Sequence, residues 1–299
     1  MSARGHEPRP NRSWGTAPAS GAPTRRPRRV AVARAEPLRG VLSQPPPKVT
    51  GEGASHNARG GRGPLPRNRH GLGRRTKAQT TPRPSIQAIT FDVGGTLIEV
   101  WPSVGHVYAE VAARHGIKGL FARSLDRRFT AAWRAAIDFG HSRTDWAALV
   151  DATFRGLTDE PPSQTFFAEL YARFAEPSAW RIYEDVIPAL QALAARGLKL
   201  GVISNWDERL RPLLDQLKLG RYFEEIIVSR EVGSCKPARG IFEHAVRKLR
   251  LPPEAVLHVG DSLAMDVRDA LAAGLSALLL QRTAGAAKAG QIKSLRALC

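Results

Sequence analysis

The sequence predicts an α/β protein: a doubly wound parallel sheet, interrupted by an inserted helical subdomain and preceded by a disordered basic tail. Three observations carry that reading. Five short apolar runs with strand character follow residue 85, and helical patterns separate the last four of them. The interval between the first and second runs is long and helical in pattern, with no convincing strand. The first 84 residues have no apolar periodicity.

Residues 1–84 contain 16 Arg, 13 Pro, 11 Gly and 10 Ala, and Trp14 is their one aromatic residue. Such a segment buries too little surface to offset the entropy of ordering it, so disorder is expected. Three origins are open, in this order of preference. The first is a spurious upstream extension, since these four residues dominate translated GC-rich DNA. The second is an organellar targeting peptide, which the 13 prolines disfavour because such peptides form amphipathic helices. The third is a basic arm that binds nucleic acid without sequence preference.

The same segment explains the net charge of +18. Residues 1–85 carry 18 Lys+Arg against three acids, whereas residues 86–299 carry 27 against 24. The near-neutral globular part gives no reason to expect a specific nucleic-acid partner. No run reaches the roughly 18 apolar residues of a membrane span. Two cysteines, Cys235 and Cys299, are too few for a disulfide framework, so a reducing compartment is expected. That means cytoplasm, or an organelle if the tail is a real targeting signal. A monomer or weak dimer is expected.

Strand-like runs lie at 87–91, Leu198–Ser204, Glu225–Ser229, Val256–Gly260 and Ser276–Leu280. Helical spacing is found at Ile187–Arg196, Glu208–Leu219, Ile241–Leu249 and Ala264–Ala273, with Gly197, Gly220 and Gly274 where C-caps are expected. Fully apolar strands alternating with helices predict a parallel sheet with ligands at the strands' carboxyl ends. In the long interval, Val104–His115, Ser124–Phe139, Asp145–Leu157 and Ser163–Phe174 read as helices. Their aromatics (Trp133, Phe139, Trp146, Phe154, Phe166 and Phe167) should mostly build a small core of their own.

Polar residues close four of the strands. The first ends at Asp92, ahead of a turn with Gly94 and Gly95; the second ends in Ser204-Asn205. The third leads to Cys235-Lys236-Pro237, and the fourth runs into Gly260-Asp261, with Asp266 five residues beyond. Each has an ordinary structural reading: Ser204 or Asn205 as a helix N-cap, Lys236 as a solvated loop residue, Asp261 or Asp266 as a cap or a partner for Arg268. Four in order at successive strand ends converge on one crevice, and that favours chemistry.

The ordered set FDVGGTL at 91–97, VISN at 202–205, CKP at 235–237 and GDSLAMD at 260–266 resembles the haloacid dehalogenase-like hydrolase superfamily. The resemblance covers essentially all of residues 86–282. VGHVYAEVAARHG from Val104 and WRIYEDVIPALQALAARG from Trp180 are similar to the subgroup with a helical cap. It implies a Rossmann-like core of 85–102 and 181–299, and a cap of 103–180. It also implies Asp92 as nucleophile, attacking phosphorus or carbon to give a covalent intermediate. Ser204, with a backbone amide near Asn205, would hold the transferring group's oxygens. Lys236 would neutralise charge and keep Asp92 ionised. Asp92, the Gly94 carbonyl and Asp261 would bind Mg²⁺, with Asp266 supporting from its helix.

One position departs from that pattern. Phosphatase members carry an aspartate two residues after the nucleophile; here it is Gly94. General acid–base assistance from such a residue is typically worth about 10²–10⁴-fold. His106 and His115, in the cap's first helix, are substitutes only if they can swing in. Three readings stay open. One is a Mg²⁺-dependent phosphatase-like hydrolase limited to good leaving groups. Another is a hydrolase that needs no acid there: a 2-haloacid dehalogenase, or a phosphonate hydrolase, which requires a cap lysine where this chain offers only Lys118 in a loop. The third is a non-enzymatic binder of a phosphorylated ligand or a protein. Intact downstream motifs favour the first, with a small phosphate ester, or failing that a haloacid, as substrate.

Overall fold

The structure, a computed structural model, describes residues 85–136, 139–282 and 286–299. The tail expected at 1–84 lies outside the described residues. The fold is α/β, with a six-stranded parallel sheet. In chain order its strands are β1 (Ala88–Phe91), β4 (Lys199–Ser204), β5 (Glu225–Val228), β6 (Val256–Gly260), β7 (Ser276–Leu280) and β8 (Gln291–Ile292). β2 (Ile98–Val100) and β3 (Trp180–Ile182) form a separate antiparallel pair. The sheet order β5-β4-β1-β6-β7-β8 puts β1 between β4 and β6, with Phe91 level with Val202 and Val259.

Both faces of the sheet are buried, as its uninterrupted apolar strands require. Successive residues of a strand point to opposite faces. Ile89, Phe91, Val202 and Val259 join Leu190 and Leu193 of α5 (Val186–Ala195) and Leu213 of α6 (Leu210–Gln216) in one core. Ala88, Ile203 and Ile227 join Phe242 and Ala245 of α8 (Arg239–Leu249) in the other. Each fully buried Leu or Phe contributes roughly 1.5–3 kcal/mol relative to exposure. These two layers make the doubly wound arrangement.

Between the β2 and β3 strands lie α1 (Val104–Arg114), α2 (Ala122–Ala135), α3 (Arg143–Phe154) and α4 (Phe167–Arg173). They share a core of Tyr108, Val111, Leu125, Phe154, Phe166 and Leu170. Ser142 caps α3 in a reciprocal box with Asp145, the N3 residue.

Several expected elements differ. Ile98–Val100 and Trp180–Ile182 were not expected as strands, because three residues are too few for an alternating pattern to register. The helix expected at Glu208–Leu219 runs only from Leu210 to Gln216. It ends without Gly220 as its cap, for Lys218 takes the left-handed conformation (φ 58°) and Gly220 opens a 3₁₀ turn beside Asp215. Ser163–Phe174 divides into a 3₁₀ turn, Pro162–Gln164, and α4. Ala264–Ala273 divides into a π-helical segment, Leu263–Arg268, and α9 (Asp269–Ala272). Between β5 and α8 a short helix, α7 (Ser229–Val232), takes in Ser229, which was read as strand. Among the described residues no helix is long and apolar enough to cross a membrane.

Candidate active site

Asp92 is the first residue past β1, and its N–H donates to the Val259 carbonyl (3.0 Å), so the sheet ladder itself aims the residue at the carboxyl edge. The turn that follows is closed by the Val93 carbonyl, which accepts from Leu97 N (2.8 Å) and Ile98 N (3.1 Å). Gly95 sits at φ 74°, and a Cβ there would collide with the Asp261 carboxylate. A Cβ on Gly260 would collide with Asp266. These two glycines give two carboxylates the space to close on the end of β1.

Lys236 Nζ lies 2.6 Å from Asp92 Oδ1 and 2.6 Å from Asp266 Oδ1. Ser204 Oγ donates to Asp92 Oδ1 (2.9 Å). Asp266 also accepts from Ser262 N at Oδ2 (2.9 Å), a contact made from the π-helical segment, and lies 3.3 Å from His258 Nε2. Widened helical turns of this kind recur where a side chain must be re-aimed at a functional site. His258 in turn meets Thr90 Oγ1 through Nδ1 (2.9 Å), so a chain of polar contacts runs under the crevice.

The electrostatics follow from burial and proximity. Burial opposes charge on Lys236, but Asp92 and Asp266 outweigh it and hold the ammonium above its ordinary range. Burial raises the Asp92 carboxyl, with Lys236 opposing. Asp266 is also desolvated, yet His258 and Lys236 pull it well below the usual carboxylate range. Desolvation, then the charges of Asp92 and Asp266, push Asp261 up to about 7. Oxygens of Asp92, Asp261 and Asp266 lie within 4.8 Å of one another. Three converging carboxylates with one ammonium are short of positive charge, and an all-oxygen set under that strain fits a hard divalent cation.

The structure thus brings together Asp92, Ser204 and Asp261 at strand ends, Lys236 from the loop after α7 and Asp266 from the π-helical segment. The Asn205 side chain has a task of its own, separate from the backbone amide expected to meet substrate. Its Nδ2 donates to the Lys236 carbonyl (2.7 Å) and its Oδ1 accepts from Lys236 N (2.7 Å), so the side chain braces the lysine's backbone. At Gly94 a Cβ would meet only Trp206, at an ordinary 3.5 Å. The two histidines weighed as substitutes are occupied on the surface, His106 with Ser103 (2.8 Å) and His115 with Glu169 (2.6 Å).

Sequence reasoning missed several residues around the crevice. Asp207 is fully buried and paired with Arg209, whose guanidinium lies 3.6 Å above the Tyr171 ring and donates to the Tyr171 carbonyl (3.0 Å). Arg282 donates to the Thr96 carbonyl (2.7 Å) and to Asp185 (2.9 Å), steadying the turn after Asp92 from the C-terminal side. His141 is buried at φ 60°, among the rings of Trp133, Phe139 and Trp146. The buried Asp and Arg close behind Ser204-Asn205 were the one local signal available; the rest are long-range contacts.

Comparison with known proteins agrees with this geometry. The family model for haloacid dehalogenase-like hydrolases matches residues 86–274. The haloacid dehalogenase-like hydrolase domain-containing protein 3 of Bos taurus is 32% identical over 209 residues, spanning 66% of this chain and 83% of its own. A glyceraldehyde 3-phosphate phosphatase of Methanopyrus kandleri is 29% identical over 210 residues, 66% of this chain and 84% of its own. The crystal structure of a phosphatase of the same superfamily from Thermococcus onnurineus superposes with a TM-score of 0.53 at 25% identity, covering 71% of this chain and 96% of that one. The chain belongs to the haloacid dehalogenase-like hydrolases.

Proposed function

We propose that this haloacid dehalogenase-like hydrolase is a Mg²⁺-dependent phosphatase-like enzyme that works through Asp92 and lacks the usual second acid. The observation that carries the reading is the Lys236 ammonium held at 2.6 Å from both Asp92 and Asp266, with Asp261 crowding the same point. A structural ion network alone would not need a third, unpaired carboxylate there.

In this mechanism a carboxylate oxygen of Asp92 attacks phosphorus, the bond from phosphorus to the leaving oxygen breaks, and an aspartyl phosphate forms. Ser204 Oγ and a backbone amide near Asn205 hold the phosphoryl oxygens, and Lys236 offsets their charge. Asp92, the Gly94 carbonyl and Asp261, with Asp266 in support, would hold Mg²⁺, which would supply further charge neutralisation when bound. Water then attacks phosphorus, releasing inorganic phosphate and restoring the Asp92 carboxylate. Gly94 has no proton to give the leaving oxygen and no base for that water. The substrate class is therefore a small phosphate ester whose leaving group departs without an acid, such as an aryl or acyl phosphate. The helices α1–α4 act as the cap that closes over it, and residues 85–102 and 181–299 form the core.

The test is turnover of p-nitrophenyl phosphate with and without Mg²⁺. Stimulation by the metal and a loss of more than about 10³-fold in Asp92→Asn are expected. Retained activity in that variant would remove Asp92 as nucleophile. Metal-independent chloride release from 2-chloropropionate would move the assignment to a dehalogenase.

A further inference from the structure

Only four buried side-chain polar atoms among the described residues lack a hydrogen-bond partner, and two of them belong to neighbouring rings: His141 Nδ1 and Trp146 Nε1. The ring centroids are 6.0 Å apart and the planes meet at 73°. His141 is 94% buried, being 6% exposed. A buried donor or acceptor left unpaired costs about 1–3 kcal/mol, so two side by side need a reason. The backbone at His141 adds to that cost, since a non-glycine residue at φ 60° is strained.

The position of this pair supplies the reason. The capping box of Ser142 and Asp145 fixes the start of α3 directly after His141, and Trp146 lies in the first turn of that helix. The Arg209 guanidinium reaches from the loop after β4 to lie 5.6 Å from the Trp146 ring, in the same stretch of chain that carries Ser204. Arg209 is paired with Asp207, and the neighbouring Trp206 ring lies 3.5 Å from where a Cβ on Gly94 would sit, so this loop joins the aromatic face of the bundle to the crevice. Around His141, Trp133 and Phe139 supply flat apolar walls, and Trp133 keeps 40% of its surface open.

We propose that His141 and Trp146 form a polar anchor for the leaving group of the substrate, binding an oxygen that the group carries beyond the ester bond. An indole N–H can only donate, so its ligand atom must accept; an imidazole Nδ1 can do either. A hydroxyl satisfies both, accepting from Trp146 and donating to His141. With ring walls on either side, the matching ligand is an aryl phosphate bearing a hydroxyl-containing substituent. This deepens the phosphatase reading and rests on it for the position of the phosphate.

The experiment is calorimetric binding to the Asp92→Asn protein, which holds substrate without turning it over. The probes are 3- and 4-(hydroxymethyl)phenyl phosphate against the matching methylphenyl phosphates, pairs that differ by one oxygen. At least one hydroxylated isomer is expected to bind about tenfold more tightly than its methyl counterpart. Adding His141→Phe or Trp146→Phe should reduce that preference to near one while affinity for the methyl ester stays within about twofold. Trp146→Phe serves if His141→Phe does not fold. A parent with no hydroxyl preference, a preference that survives both substitutions, or no binding of either ester overturns the anchor. Absence of turnover in the Asp92 protein, with the preference intact, would sink the phosphatase reading and leave the anchor standing.

Discussion

The crevice at the end of β1 and the aromatic face of the helical bundle treat their polar atoms in opposite ways. In the crevice the two buried carboxylates are answered from within the chain: Lys236 spans Asp92 and Asp266, and Asp266 also accepts from Ser262 and meets His258, which leaves Asp261 as the acid open to a cation. On the helical side His141 Nδ1 and Trp146 Nε1 are buried without a hydrogen-bond partner among the described residues. The difference separates two tasks. A reactive centre gains from being fixed before substrate arrives, because preorganised groups need no rearrangement when charge develops. A recognition surface gains from polar atoms that only the right ligand completes, because the wrong ligand leaves them unpaired.

The largest effect that would break this contrast is expected at Lys236. Replacing it with Met should leave Asp92 and Asp266 as buried charges without a counter-ion, at a cost of about 3–5 kcal/mol in urea unfolding. Turnover should fall by about 10²–10³-fold. A variant as stable as the parent would mean that the crevice is not held by that ammonium.

Gly94→Asp tests what the crevice lacks. The added Cβ meets only Trp206, at 3.5 Å, and the glycine does not occupy a left-handed conformation, so the side chain can be accommodated. Hydrolysis of alkyl phosphates should rise by about 10²-fold, with a much smaller gain for aryl phosphates, which need no acid. Equal gains, or none, would mean that protonation of the leaving group does not limit the rate.

The smallest effect probes the helical side. Burial holds the His141 imidazole down to about 4 from its ordinary 6.5, against the pull of Asp207 and Asp145 and with Lys236 adding to the depression. The folded protein refuses a proton that the unfolded chain accepts, so His141 costs no stability above pH 6.5. Stability is then lost as the pH falls through the window to about 4. The loss should approach about 3 kcal/mol once the pH is below that window. Urea unfolding of the parent and His141→Phe at pH 7 and pH 4.5 should show a smaller decline in the variant. Parallel curves would mean that His141 takes up its proton normally.

How much of this was readable along the chain depended on how local the cause was. The five apolar strands and their positions along the chain could be read, because a buried parallel strand writes its burial into consecutive residues; their order in the sheet came from the tertiary structure. Asp92, Ser204, Asp261 and Asp266 could be placed because each closes or follows such a run or lies at the start of the next helical segment, and Lys236 because the CKP motif lies in the connection after the third run. The β2–β3 pair could not, since three residues carry no period and the partners are 82 positions apart, as Glu99 and Arg181 are. Nor could the role of Asn205: its residue type suits an N-cap, and only the fold brings the Lys236 backbone, 31 residues on, within 2.7 Å of it.

The sequence by itself determined which residues could do chemistry and at which end of the sheet they would gather, because strand burial and the turn after each strand are local properties. Tertiary structure alone decided which of them touch. It set the lysine between two carboxylates, the glycines as clearance for Asp261 and Asp266, and the two unpaired ring nitrogens on the helical side. Distances across the chain depend on the packing of whole elements against one another, and no stretch of sequence encodes that packing alone.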